Sequence, residues 1–470
     1  MQSRTTEGAL AIFATLLFAA SCSGKLALEK DKDAQAGAGG SSGNGQGGSA
    51  GYDGGAGSSG TAGSAGTAGS AGTAGSADSG SSSEPWWPHV NSHGCDTTGV
   101  PVSGDRPAAH LDEDSLPPIY LALSKFRTSS EDNAQLTPNS DAWRDIGLDV
   151  DGTCTRSPTC SGQNAQLIDE RSCQATRPSD GNQCRDNQFG QLMRIMSASV
   201  NVVRHFGIQD ADWNCELRRG GFSVIFKISG YNGQSNDPFV GVDVYSSPGM
   251  VAPSGALCRS NGSLASIEGP LAPDWYTAPP PAVSARWKIA RSSLKPGASS
   301  EPDDLPEAKA SDRLAYVRNG YLVMRFPPQA EFWLNGVGTP VPGFRFVLDR
   351  AILVGKLSRS EANGEWSLSD GTMTGVMQLG LLLASFRELG FCENMCGAFA
   401  TLSSFSNGNA DLLLSDNAAS SVACDGLSFG AALEARQALP GDVVDVAWPP
   451  ILCPEPRHSE APRQGTSCPD

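Results

Sequence analysis

Residues able to do chemistry gather in one acidic, cysteine-bearing stretch of the chain. It begins "DIGLDVDGTCT" and runs on through "CSGQNAQLIDERSCQATRPSDGNQCRDNQFG". Asp149, Asp151, Asp180 and Asp186, with Asn182 and Asn187, flank a segment that carries Cys154, Cys160, Cys173 and Cys184. Calcium takes about six to eight hard oxygens on a backbone that turns sharply, and alternate aspartates ahead of Gly152 supply part of such a set. The four aspartates are therefore candidate calcium ligands, and calcium is the one cofactor the sequence suggests. The EF-hand pattern is not met, because later acidic residues fall at other offsets and no glutamate closes the loop. A surface loop, turned by Asp and Gly and stapled by its cysteines, is the commoner use of the same residues.

Other constellations are weaker. "GLSFG", Gly426 to Gly430, matches the pattern of a hydrolase nucleophile elbow, and Asp442, Asp445 and His458 follow it. Such an elbow needs a strand before the serine and a helix after it. Here Phe429, Ala431 and Leu433 alternate through the motif, which places Ser428 inside a strand. Zinc is opposed by spacing: no CxxC pair occurs, and Cys154, Cys160, Cys392 and Cys396 read as disulfide members. His89, His93 and Cys95 in "HVNSHGC" have metal-like intervals, but chance placement beside a linker is the better account. His205 reads as a helix C-terminal group, and His110 lies in a polar segment. The carboxylates of Asp112 to Asp114 and of Asp303 and Asp304 read as solvated loops, and there is no G-x-x-x-x-G-K-[ST] and no well-placed G-x-G-x-x-G to bind phosphate. Trp86, Trp87, Trp275, Tyr276 and Trp287 sit near prolines, where they either stack on sugar rings or cap the ends of a core; the second is commoner.

The elements that must position these residues begin after a long preamble. Arg4 and the amino terminus make a short positive region, and the uncharged run "ALAIFATLLFAAS", Ala9 to Ser21, follows. That run is too short to span a bilayer as a helix and has the length of a signal-peptide core. "FAASC" resembles the lipobox of bacterial lipoproteins, with Ala19 where leucine is commoner. The resemblance implies that Cys22 becomes the mature N-terminus and carries acyl chains, an attachment to the membrane that is effectively permanent. Cysteine parity agrees. The chain has 13 cysteines, and removing Cys22 leaves an even set: Cys95, Cys154, Cys160, Cys173, Cys184, Cys215, Cys258, Cys392, Cys396, Cys424, Cys453 and Cys468. An exported chain with an even remainder is expected to form disulfides in an oxidising compartment. Ser23 is compatible with sorting to an outer membrane.

The expected division is therefore a signal peptide at 1–21, a lipidated N-terminus at 22–33, a tether at 34–84 and an extracytoplasmic domain at 85–470, in one or two subdomains. The tether is Gly, Ser, Ala and Thr, with a six-residue repeat through "TAGSAGTAGSAGTAGSA". It has no apolar side chains to offset its ordering entropy, so it reads as disordered, with a reach of ~40 Å. From Pro85 onward the chain has ample apolar content for a large core. The net charge of −16 and the lack of a basic cluster argue against nucleic acid as a partner.

Hairpins dominate the domain. Phe222, Val224, Phe226 and Ile228 alternate on one face of "GFSVIFKIS". Asn319-Gly320 fits a type I′ turn in "LAYVRNGYLVMRF", and Asp370-Gly371 suggests a second hairpin turn. "FRFVLDRAILVGKL" reads as one long or two short strands, and "LSFGAALEARQ" as a strand with helix as the alternative. A helical stripe joins Phe189, Leu192, Met193, Met196, Val200 and Val203, and "QLGLLLASFRELG" reads as a second helix ending at Gly390. No βαβ alternation appears. The expected fold is mainly β: an antiparallel β-sandwich or jelly-roll-like domain with a few attached helices, disulfide-stapled and preceded by the tether.

Taken together, the lipobox, the tether, "WRDIGLDVDGTCT", "DGNQCRDNQFG", "YVRNGYLVMRF" and "DGTMTGVM" make a chain that resembles a group of uncharacterised surface lipoproteins of myxobacteria. The resemblance implies location and general build and carries no catalytic residues. The expected function is a lipid-anchored, non-enzymatic surface module, in the outer membrane or at the cell surface, that binds a glycan or protein. An extracellular hydrolase with an unrecognised site and a structural envelope component are the alternatives.

Overall fold

The computed structural model describes residues 89–90, 96–108, 115–129, 131–132, 137–138, 141–155, 173, 180–199, 210–251, 257–259, 266–268, 286–297, 305–334, 344–389, 398–414 and 422–446. Its principal strands are β1 (Ile119–Arg127), β2 (Ser223–Ser229), β3 (Asp237–Ser247), β4 (Arg286–Ala290), β5 (Ala310–Arg318) and β6 (Tyr321–Arg325). They continue as β7 (Ala330–Leu334), β8 (Phe344–Arg359), β9 (Trp366–Gln378), β10 (Gly426–Gln437) and β11 (Leu439–Val444). The helices are α1 (Gln188–Ser199), α2 (Asp210–Arg219), α3 (Leu379–Glu388) and α4 (Ala398–Gly408).

The protein is mainly β, as its alternating runs predict, and disulfide-linked, as its even set of cysteines predicts, but it is not a sandwich or a jelly roll. The strands follow one another in the order β6-β5-β3-β2-β1-β10-β9-β8, and β6 pairs back onto β8. Eight antiparallel strands thus close into a barrel. The difference has a simple origin. A half-buried strand alternates in the same way whether its inner face meets a second sheet or the far wall of a barrel. What decides closure is one long-range pairing, Tyr321 with Lys356 through Arg325 with Ile352.

Strand β8 makes that pairing possible. It runs unbroken over 16 residues, yet its register slips between Asp349 and Ile352, where Arg350 adopts φ 50°. A bulge of this kind bends a strand and sharpens its twist. The first half of β8 consequently pairs with β7 and the second half with β6. One-strand and two-strand readings of this segment are each half right.

The two turn motifs part company. Asn319 and Gly320 both have positive φ, 51° and 81°, and connect Arg318 to its partner Tyr321, as a type I′ hairpin turn requires. Asp370, φ 47°, lies instead inside β9, at a register slip between Leu368 and Gly371. Asp-Gly satisfies a bulge that needs a left-handed residue as readily as it satisfies a turn.

Inward-facing residues fill the barrel. Phe222, Val224, Phe226 and Ile228 join one core with Leu121, Phe346 and Phe429. α1 and α2 add Phe189 and Trp213 to it. Phe346 lies 4.9 Å from the Phe332 ring, 5.5 Å from Phe429, 5.6 Å from Phe126 and 5.9 Å from Trp213, centroid to centroid. A void of about 10 Å³ remains beside Phe126, Phe226 and Phe332, the space of about one water. A membrane-spanning barrel wears its apolar band outward around a polar lumen; this one has a packed apolar interior.

Two apolar patches on the outer wall are covered. Ala122, Ile225 and Tyr245 pack beneath Trp287 and Ile289 of β4, which pairs in parallel with β11. Trp287, one of the aromatic candidates for sugar stacking, is only 1% exposed and belongs to the core. Tyr316, Tyr321, Val323, Ile352 and Val354 pack beneath Leu148, which fastens the acidic loop to the barrel. No helix among the described residues is long and apolar enough to cross a membrane.

The lipid-bearing Cys22, the tether, Trp86, Trp87, Trp275, Tyr276, His93, His110, His205 and His458 lie outside the described residues. So do Cys95, Cys160, Cys392, Cys396, Cys453 and Cys468, together with Val200, Val203 and Gly390. The side chains of His89, Met196 and Cys258 are likewise outside the description.

Candidate functional site

The acidic loop is built by its own carboxylates. Asp149 Oδ1 accepts the Gly152 N–H at 2.7 Å, and Asp151 Oδ1 accepts the Thr153 N–H at 2.8 Å and its hydroxyl at 2.7 Å. Asx-type bonds of this kind let an aspartate hold its own turn. Gly152 supplies the left-handed residue, φ 72°. Asp186 reaches in from the segment before α1, and its Oδ2 accepts the Val150 N–H at 2.6 Å. Backbone ladders complete the frame: Asp186 N–H donates to Leu148 O at 3.1 Å, and Asp180 N–H to Thr155 O at 2.8 Å.

Three of the four sequence candidates converge. One carboxylate oxygen each from Asp149, Asp151 and Asp186 lies within 4.8 Å of the others. Asp180 adjoins them; its Oδ2 accepts the Thr155 N–H, and its carboxyl feels the charges of Asp151, Asp411 and Asp149. Two disulfides pin the region. Cys154 is bonded to Cys184 and Cys173 to Cys424, and Cys215 is disulfide-bonded as well.

Asp411, a buried carboxylate whose charge acts on Asp180 and Asp186, is the residue that sequence reasoning missed. It precedes β10, and its Oδ1 accepts the Ser428 N–H at 2.8 Å. Its Oδ2 is buried without a hydrogen-bond partner, and the residue is 9% exposed. The only local signal was an acidic residue standing just ahead of three leucines in "NADLLLSD".

Burial sets the electrostatics. It pushes the Asp149 carboxyl up to about 7, helped by the neighbouring Asp151 charge. Asp411 is likewise pushed up to about 7, by burial first and Asp151 among its other causes. Asp180 and Asp186 stand well above the usual carboxylate range, again through burial and then the surrounding aspartates. An unfolded aspartate titrates near ~3.9. Between about pH 4 and pH 7 the folded, cation-free chain therefore holds protons that the unfolded chain has released. That contribution to stability is fully present below about pH 4 and is lost as pH rises through about 7. Melting in excess chelator is expected to occur at higher temperature at pH 5 than at pH 8.

The asparagines and the serine have other duties. Asn182 Nδ2 donates to Asp145 Oδ1 at 2.8 Å on the exposed side. Asn187 is buried and turned to the backbone: Nδ2 donates to Thr128 O and Trp143 O, and Oδ1 accepts the Gly190 and Gly430 N–H groups. It caps α1. Ser428 lies inside β10, fully buried, where its Oγ accepts the Gln188 N–H at 2.9 Å. Nothing in that setting is a nucleophile elbow. Asp442 is exposed on β11, and Asp445 pairs with Arg291 at 2.8 Å. Gly430 has no side chain because a Cβ there would lie 2.9 Å from both Asn187 Cγ and the Gly147 Cα.

Elsewhere, a polar cleft of about 230 Å³ opens between Ser292, Ser293, Lys309, Gln329, Glu331 and Trp333. Small-molecule pockets commonly enclose about 300–1,000 Å³, so this cleft suits a chain end or a surface group better than an engulfed ligand. Comparison of the chain with protein-family models, with curated proteins and with solved structures finds no match in any of the three.

Proposed function

We propose that this chain is a lipid-anchored protein of the outer membrane or cell surface, tethered through Cys22, whose barrel is a non-enzymatic binding module for a glycan or a protein. The observation that carries the reading is the order of parts in the sequence. A short apolar run ends in Ala-Ala-Ser before Cys22, a Gly/Ser/Ala segment follows, and a large folded domain begins after residue 84. Disulfides at Cys154, Cys173, Cys184, Cys215 and Cys424 support an oxidising compartment. The filled interior and the shallow polar cleft favour recognition on the outer wall over engulfment of a small molecule.

Metabolic labelling with a fatty acid tests the anchor. The wild-type chain is expected to carry the label and to sediment with membranes, and Cys22→Ala to lose the label and appear in the soluble fraction. Label that persists on Cys22→Ala sinks the anchoring reading. Binding of purified domain to glycan arrays or cell-surface extracts separates a binding module from a purely structural envelope component. Turnover of ester, glycoside or peptide substrates would put a hydrolase in its place.

A further inference from the structure

We propose that Asp149, Asp151, Asp180, Asp186 and Asp411 together bind one hard divalent cation, calcium by preference, where the acidic loop meets the start of β10. The proposal goes beyond the surface-binding reading and does not depend on it.

The buried charge of this region is unbalanced. Asp149, Asp180 and Asp186 are each at most 3% exposed, and Asp411 is 9% exposed. Among the described residues none of these four carboxylates is paired with a lysine or an arginine. A buried ionised carboxylate is costly unless a counter-charge accompanies it. Arg185, the nearest basic residue in the sequence, turns instead toward the Asp145 backbone carbonyl and Gln183.

The second observation is independent of the acidic count. Asp411 comes from a part of the chain more than two hundred residues downstream, and its Oδ2 is buried with no partner. Its Oδ1 accepts the Ser428 N–H, and Ser428 Oγ in turn accepts the N–H of Gln188, two residues beyond Asp186, so Asp411 is packed beside the segment that carries Asp186. A buried acceptor left unsatisfied in this way is costly, the more so when charged. A cation satisfies it directly.

The third observation is orientation. Each carboxylate is held through one oxygen by a backbone N–H: Gly152 for Asp149, Thr153 for Asp151, Thr155 for Asp180, Val150 for Asp186 and Ser428 for Asp411. Ligating carboxylates are commonly hydrogen-bonded from behind in this manner, which fixes their direction. Five carboxylates supply at least five oxygens, and bidentate contacts or water complete the six to eight that calcium takes.

Donor chemistry narrows the choice. Cys154, Cys173 and Cys184 are consumed in disulfides, so no thiolate joins the set, and an all-oxygen site favours calcium, magnesium or manganese over zinc. Magnesium demands near-ideal octahedral geometry and sheds water reluctantly. Carboxylates fixed by three separate chain segments suit the larger, more permissive ion. Bound there, the cation ties residues 149–151, residues 180–186 and residue 411 together beside the two disulfides.

Titration calorimetry and melting of the full oxidised chain, stripped with chelator, test this. Calcium chloride is expected to bind at one site per chain and to raise the melting temperature to a plateau, with magnesium chloride at equal concentration giving a smaller rise. Asp411→Asn keeps an oxygen for the Ser428 N–H, so the fold is retained while calcium affinity falls by at least about tenfold. Asp180→Asn is the second variant, read in the same way should Asp411→Asn fail to fold. Asp442→Asn, on exposed β11, is expected to bind as wild type does. A tenfold or greater loss in Asp411→Asn or Asp180→Asn supports the site. Wild-type protein without saturable calcium binding, or unchanged affinity in both variants, overturns it.

Discussion

Replacing Cys173 and Cys424 together by serine is expected to lower the unfolding free energy by about 5.5 kcal/mol on the loop-entropy estimate, with about 2–5 kcal/mol the usual range for a native disulfide. The reason is the distance the bond spans along the chain. Its two cysteines are 251 residues apart, against 30 for Cys154 and Cys184. In the unfolded ensemble the longer bridge removes more freedom, by the logarithm of loop length. The same relation gives about 3.5 kcal/mol for the shorter one. The bond also has local consequences. Cys173 Sγ lies 3.3 Å from the Asp411 backbone oxygen, so the staple sits beside a residue whose carboxylate Oδ2 is buried without a hydrogen-bond partner. Urea unfolding of the double serine variant is the measurement. The midpoint is expected to fall and the slope to rise, because an uncrosslinked unfolded chain exposes more surface. A loss below about 1 kcal/mol would show that native strain or residual unfolded structure cancels the entropic gain.

What the sequence disclosed, and what it hid, divides along the range of the interactions. Alternation in "GFSVIFKIS" is a property of one strand, and Phe222, Val224, Phe226 and Ile228 all face the interior. The Asn319-Gly320 turn needs only two residues with positive φ, so it was legible too. Barrel closure was not, because β6 meets β8 through pairing that no hairpin pattern encodes. The Asp370-Gly371 bulge shows a subtler limit: dihedral preference is readable, whereas the partner strand that decides between bulge and turn is not. In the acidic stretch, Asp149 and Asp151 were legible as alternate aspartates ahead of Gly152, and Asp180 and Asp186 as the acidic residues on its far side. Asp411 was invisible, since it comes near that stretch only through its bond to Ser428 of β10. The "GLSFG" motif is the inverse case. A familiar pattern arises there from packing: Ser428 holds the start of α1, and Gly430 makes room for Asn187.

Two asparagines five residues apart, alike in sequence, are expected to behave in opposite ways. Asn187→Ala should cost on the order of 4 kcal/mol or more, whereas Asn182→Ala should stay within about 0.5 kcal/mol. Asn182 is bonded on the exposed side to Asp145, and water replaces that bond cheaply. Asn187 is fully buried and uses all of its capacity. Its Nδ2 reaches Thr128 O at 2.9 Å and Trp143 O at 3.2 Å, and its Oδ1 takes the N–H groups of Gly190 and Gly430, each at 3.0 Å. Those four partners belong to the end of β1, the turn before the acidic loop, the first turn of α1 and the middle of β10. Truncation strands the Gly190 and Gly430 N–H groups and weakens the bonding of the Thr128 and Trp143 carbonyls, the latter keeping its 3.4 Å bond from the Ile146 N–H, at about 1–3 kcal/mol for each group left unpaired before relaxation. It also releases Asp186, the next residue, from the frame that aims it. Asn187→Asp keeps both acceptor bonds but sets a carboxylate against two carbonyl oxygens, so burial and repulsion raise its pKa. A raised pKa means that the stability held by the protonated form is lost as pH rises. The aspartate variant is therefore expected to gain more stability between pH 8 and pH 5 than the alanine variant does, because a proton there restores one donor beyond the gain that the acidic cluster gives both. Urea midpoints at pH 5 and pH 8, with hydrogen exchange at the Gly190 and Gly430 amides, separate the two; equal midpoints for Asn182→Ala and Asn187→Ala would remove Asn187 from the role of hub.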